Sequence, residues 1–255
     1  MGIEPSPSYA ASNDCRRVNR VGAIAALLIA VGYIVIIPLY ARVGAPPHDG
    51  DSWFSYLPGK TSLWWAILWI SVFTDLLYLP LTLALYQALR ESGKIVVRMS
   101  CALIVLFVAL DLAITWSNYA SILTLFARYS QTADPGIRAA CAAAADYGSA
   151  ILASPLEIVY AIVILSSGIL LISLNMWKGP FSRITASLGV ATGALGLLSL
   201  TGAAVAIIGN ALFATVWLVF VAFGLRVVSP AKLHPRRRAP PSDLMTNLEK
   251  HLQAL

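Results

Sequence analysis

Charge is what this chain has least of. Only 12% of its 255 residues are Asp, Glu, Lys or Arg, about half the share that a water-soluble domain carries. Residues of the AVILMFWYC set make up 58% and mean hydropathy is +0.76, so most of the chain cannot face water. Cysteine is scarce too. Cys15, Cys101 and Cys141 stand far apart with no C-x-x-C pair, which excludes a disulfide framework and a thiolate zinc site. The three histidines, His48, His234 and His251, all fall outside the apolar runs. That argues against haem ligation, intramembrane zinc hydrolysis and diiron oxygenation, which draw on histidine. No lysine occupies the centre of an apolar run, which excludes a retinal Schiff base, and no Walker or dinucleotide-binding glycine pattern occurs. No cofactor and no metal site are expected. The net charge of +6 is scattered between apolar runs, so nucleic acid is not an expected partner.

What is there is apolar length. Six segments, about 21–42, 63–88, 97–122, 151–175, 184–206 and 210–228, each approach the ~20 residues needed to cross ~30 Å of hydrocarbon. The pattern predicts an all-α polytopic transmembrane helix bundle over residues 21–228. Residues 1–20 read as a disordered cytoplasmic tail. Residues 229–255 read as a basic tail in which Leu244, Leu248, Leu252 and Leu255 could line one face of a short amphipathic helix. Arg236, Arg237 and Arg238 beside it suit contact with anionic lipid.

Orientation follows from the basic residues. With both ends in the cytoplasm, only Arg42, Lys60, Arg128 and Arg138 of the 18 Lys and Arg lie outside, as the positive-inside bias requires. Trp53, Trp64 and Trp65 at the outer boundary of the second span, and Trp177 at the inner boundary of the fourth, read as an aromatic belt. Asp134-Pro135 predicts a helix start, with Asp as N-cap and Pro at the first helical position. The alanine-rich stretch after it predicts a short surface helix ending at Gly148-Ser149. Gly189-x-x-x-Gly193 predicts close intramolecular helix packing in the fifth span, and Gly209-Asn210 a tight turn into the sixth. His48-Asp49-Gly50-Asp51 lies in a loop dense in Pro and Gly and reads as turn chemistry, not a cation site.

The positions that could carry chemistry are Asp75, Asp111 and Glu157, ionisable groups within the second, third and fourth spans. Each costs roughly 2.5–3.5 kcal/mol at a helix centre on insertion scales, so such residues are usually buried and functional. No Lys or Arg stands at the same depth to neutralise them. Protonation, a hydrogen-bonded neighbour or a bound cation must do so. Asn118, Tyr78 and Tyr160 complete a candidate polar cluster, with Thr74 and Thr115 nearby, and Pro80 and Pro155 are expected to free backbone carbonyls.

Three functions fit: a non-enzymatic accessory, assembly or sensory subunit, a proton- or cation-coupled carrier of small solutes, and an intramembrane enzyme with one of the carboxyls as acid or base. The first is the leading expectation, and protein partners and any substrate are unspecified. Thr74-Asp75-Leu-Leu-Tyr-Leu-Pro80, then Ala84-Leu85-Tyr86, the glycine-rich run after Arg183 and the carboxylate Asp111 midway along the third span together resemble a group of uncharacterised bacterial six-span membrane proteins. The likeness covers most of residues 16–228. It implies a multi-pass protein of the bacterial plasma membrane and transfers no activity or catalytic residue.

Overall fold

A computed structural model describes residues 7–227. The proposed basic tail, its leucine-lined helix and Arg236–Arg238 lie outside the described residues. Eight helices follow one another: α1 (Pro7–Val43), α2 (Gly50–Tyr56), α3 (Thr61–Leu89), α4 (Lys94–Gln131), α5 (Pro135–Leu152), α6 (Pro155–Met176), α7 (Arg183–Leu198) and α8 (Ala204–Val227). Six of them, all but α2 and α5, are long and apolar enough to cross a membrane. The chain is therefore a multi-pass membrane protein. Large apolar side chains such as Ile34, Trp69, Phe73, Leu83, Val105 and Phe223 stay exposed on the outer faces of these helices, where lipid, not water, is the favourable neighbour.

The six long helices form a closed ring. Each packs against its neighbours in sequence, and α8 returns to pack against α1. Small residues let them approach. A methyl group at Gly189 would overlap the Ser173 hydroxyl of α6 and come against Trp217 of α8, and Gly193 and Gly196 meet α6 at Leu170 and Ser166. The G-x-x-x-G stripe is thus spent within the chain, as expected of close packing in lipid.

Several boundaries differ from expectation. The α7–α8 turn is at Ser199–Ala203, where Gly202 takes a left-handed φ of 72° after a short 3₁₀ turn. Gly209 and Asn210, expected to turn, are inside α8. Likewise α5 runs through Gly148 and Ser149 and breaks at Ala153–Ser154, where Ser154 caps the next helix and Pro155 begins it. In both places a helical glycine faces a neighbouring side chain, Leu195 at Gly209 and Ile122 at Gly148, so it serves packing without breaking the helix. Pro155 occupies a first-turn position, so it frees no carbonyl inside a span. Pro80 does lie inside α3. The first helix is continuous from Pro7, so residues read as tail extend the first span's helix.

At 38 residues, α4 is about 57 Å long at 1.5 Å per residue, nearly twice the hydrocarbon thickness. Its C-terminal part meets α5, which also packs against α2, and the three make a cap over one end of the ring. Asp134 caps α5 by accepting from the N–H of Gly136 (2.7 Å), with Pro135 at the first position. Asp49 caps α2, accepting from the Ser52 N–H at 2.8 Å. That backbone bond holds its carboxyl below the ordinary range. Trp53 donates to Ser149 Oγ (2.6 Å), and Gly50 N–H to Asp146 (3.1 Å), tying α2 to α5. Trp53 and Trp64 are fully buried here. They are packed core of the cap, not the lipid–water belt expected of them, because rings of α2, α3 and α4 enclose them. Trp177 does remain half exposed at the far end.

Candidate functional site

Between the cap and the ring's core lies a cavity of about 310 Å³, bounded by α1, α3, α4 and α6. Asp75 of α3, Asp111 of α4 and Glu157 of α6 all line it, so the structure gathers at one place the three carboxyls that the sequence set apart. Asp75 and Asp111 are each 6% exposed. Both accept from the same donor: the Trp116 indole N–H lies 2.8 Å from Asp75 Oδ2 and 2.9 Å from Asp111 Oδ2. The two carboxyl groups therefore face each other across that one N–H.

The helix itself makes this fork. Asp111 and Trp116 are five residues apart, which in a regular α-helix turns them about 140° from each other. Here residues Asp111–Trp116 are wound as a π-helix, whose wider turn brings residues five apart onto one face. Within that turn the Asn118 amide donates to the Ile114 carbonyl (2.7 Å) and the Ser117 hydroxyl to that of Ala113 (2.5 Å). Span four is wound the same way over Val159–Ile164, just after Glu157. Glu157 itself is in the first turn of α6, half-buried, with its N–H bonded to Ser154 Oγ (3.3 Å). It is therefore nearer the end of its span than limits of about 151–175 imply, because the span starts at Pro155.

Aromatic rings form much of the remaining wall: Tyr33 and Tyr40 of α1, and Phe107, Trp116 and Tyr119 of α4. Tyr119 stacks on Trp64 at 5.1 Å and approaches Trp53 at 6.0 Å and Trp116 at 5.7 Å, so the cavity's roof is the floor of the cap. Thr115 also lines the cavity and is 6% exposed. Among the described residues neither its hydroxyl nor that of buried Tyr160 makes a well-formed hydrogen bond.

Of the other candidates, Tyr78 does not reach the cavity wall. It sits one layer deeper and meets the wall residue Tyr33, hydroxyl to hydroxyl at 2.8 Å. Asn118 turns its amide to its own helix and packs beside Gly148 of α5, away from the carboxyls. Thr74 lines the cavity as Thr115 does. Trp116, Tyr33, Tyr40 and Tyr119 were not legible as site residues. Among the described residues, no three or more His, Cys, Asp or Glu are grouped closely enough to hold a metal ion.

Comparison with family models, with curated proteins and with solved structures finds no match to the chain. The resemblance carried by Thr74–Tyr86 therefore stands only at the level of six apolar membrane helices.

Proposed function

We propose that the chain is a proton- or cation-coupled carrier of the bacterial plasma membrane, binding a small solute in the carboxyl-lined cavity. The observation that favours this over an accessory or sensory subunit is the convergence of Asp75 and Asp111 on one indole N–H at a cavity wall. A carboxyl that only joins helices is satisfied by protein donors. An ionised carboxyl can accept about four hydrogen bonds, far more than one shared N–H supplies. Two carboxylates turned to one indole N–H repel each other when both are ionised, so the pair favours holding one proton. An arriving positive charge would take that proton's place, and its departure would let the proton return. This is the coupling that a carrier needs at mid-membrane.

The test is uptake into proteoliposomes that report internal pH, under an imposed pH gradient and with a panel of small solutes. The wild-type chain is expected to move protons when its solute is present. Asp75→Asn and Asp111→Asn, which keep volume and shape, should each lower that flux at least tenfold while eluting like wild type from a sizing column. Undiminished flux in both variants would end the carrier reading.

We also propose that both termini are in the cytoplasm, with the cap outside, on the support of the basic residues: of the 13 Lys and Arg among the described residues, only Arg42, Lys60, Arg128 and Arg138 fall on the cap side. Ala133, exposed between α4 and α5, and Lys178, exposed between α6 and α7, are at opposite ends. In a chain lacking native cysteines, Ala133→Cys should react with an impermeant thiol reagent on intact cells and Lys178→Cys should not. The reverse pattern would invert the orientation.

A further inference from the structure

We infer that the solute is a small organic cation, an ammonium compound bearing methyl or methylene groups, an inference that rests on the solute-binding reading above. The wall is acidic: Asp75, Asp111 and Glu157 line it, and among the described residues no Lys, Arg or His does. An anion entering would meet only like charge. A positive group supplies the counter-charge that the wall lacks, and burying a charge is tolerable only when it is so paired.

The bulk of the cation follows from the spacing of the acids. Three carboxyls border one space, yet they are not grouped closely enough to hold a metal ion. A bare divalent ion takes six or more oxygens at about 2.0–2.6 Å, and much of this wall is ring carbon. Asp75 and Asp111, paired on one indole, and Glu157 on α6 border the space from different helices, which leaves room for a cation several atoms wide. The rings of Tyr33, Phe107, Trp116 and Tyr119 supply the complementary apolar surface, since aromatic faces attract alkylated ammonium groups that oxygen ligands do not need to reach. The volume of about 310 Å³ is at the small end of ligand pockets, and suits a solute of amino-alcohol size. The Thr115 hydroxyl, 6% exposed, borders the same space beside Asp111. It can bond a hydroxyl or N–H of the ligand. The titratable groups facing the cation would be Asp75 from α3, Asp111 and Tyr119 from α4, Glu157 from α6, and Tyr33 and Tyr40 from α1.

The experiment is equilibrium binding to the purified full chain in lipid nanodiscs, by calorimetry, with choline and with its neutral isostere in which a quaternary carbon replaces the nitrogen. Choline is expected to bind at least tenfold more tightly than the isostere, and Asp75→Asn to weaken choline at least tenfold while leaving the isostere unchanged. The comparison of the two ligands on the wild-type chain needs no variant, so a misfolding substitution does not spoil it. Equal binding of both, or no binding of choline, overturns the inference. The carrier reading fails separately: choline that binds with the predicted preference but moves no protons in proteoliposomes upholds the ligand class and removes the transport.

Discussion

On one side of the cavity the core is rich in alanine, with Ala23, Ala25, Ala26, Ala30, Ala84, Ala88, Ala186 and Ala222 set among Leu, Ile and Val and a few rings such as Tyr78 and Trp217. On the other it is built from Trp53, Phe54, Trp64 and Trp116, with Tyr119 and Tyr129 against them. Solvent explains the contrast. Within lipid, apolar side chains gain little by leaving the solvent, so helices are held by close approach, which needs small residues. In a cap that reaches water, burying large rings is itself a driving force. The rings there also have polar tips, and the tips are paired: Trp53 to Ser149, Trp64 to Tyr56 Oη at 3.2 Å, and Tyr56 to the Val43 carbonyl at 2.8 Å. Leu112 touches both cores, one residue after Asp111, so the carboxyl fork lies at their seam.

Two substitutions would break or sharpen this contrast. Trp53→Ala removes a fully buried ring and leaves Ser149 without its partner. The expected cost is about 3–5 kcal/mol, read as an early loss of the cap in denaturant, with α2 and α5 becoming sensitive to protease before the ring of spans. If the cap and ring still unfold together and at the wild-type denaturant concentration, the two cores are not separate in their energetics. Gly189→Val is the smaller change. It forces bulk between α6, α7 and α8 where no methyl group fits, at an expected cost of about 1–3 kcal/mol. Here the ring should loosen and the cap resist, the opposite order. A valine tolerated at wild-type stability would remove close approach as the reason for the glycine.

How much of this could be read from residues alone divides along the same seam. The six long helices follow from apolar runs, and the start of α5 follows from Asp134-Pro135, because capping is a local contract between neighbouring residues. The helix ends at Gly148 and Gly209 were misplaced because a glycine seated against another helix looks, in one dimension, like a glycine that breaks one. Asp75, Asp111 and Glu157 were legible through their cost in lipid, and their shared cavity is consistent with that reasoning. Trp116 was not, since regular winding puts it far round the helix from Asp111, and nothing local announces a π turn. Tyr33 and Tyr40 were hidden differently: they stand on α1, which brings no carboxyl to the cavity, so their role exists only once α1 packs on α3.

That π turn has a further consequence for how such a helix can vary. A stretch wound i to i+5 holds one residue more than the same stretch wound i to i+4. Span three is thus two helical registers joined by a single surplus residue between Asp111 and Trp116. Deleting that one residue would let the turn rewind as regular α-helix while everything from Ser117 onward keeps its place, with Trp116 then four residues from Asp111 and still on its face. Tyr119 and Ile122 would stay in the cap, and the loss would be confined to the widened turn at the cavity wall. Length here is as local a matter as substitution: the surplus residue shapes the wall without setting the phase of the roof.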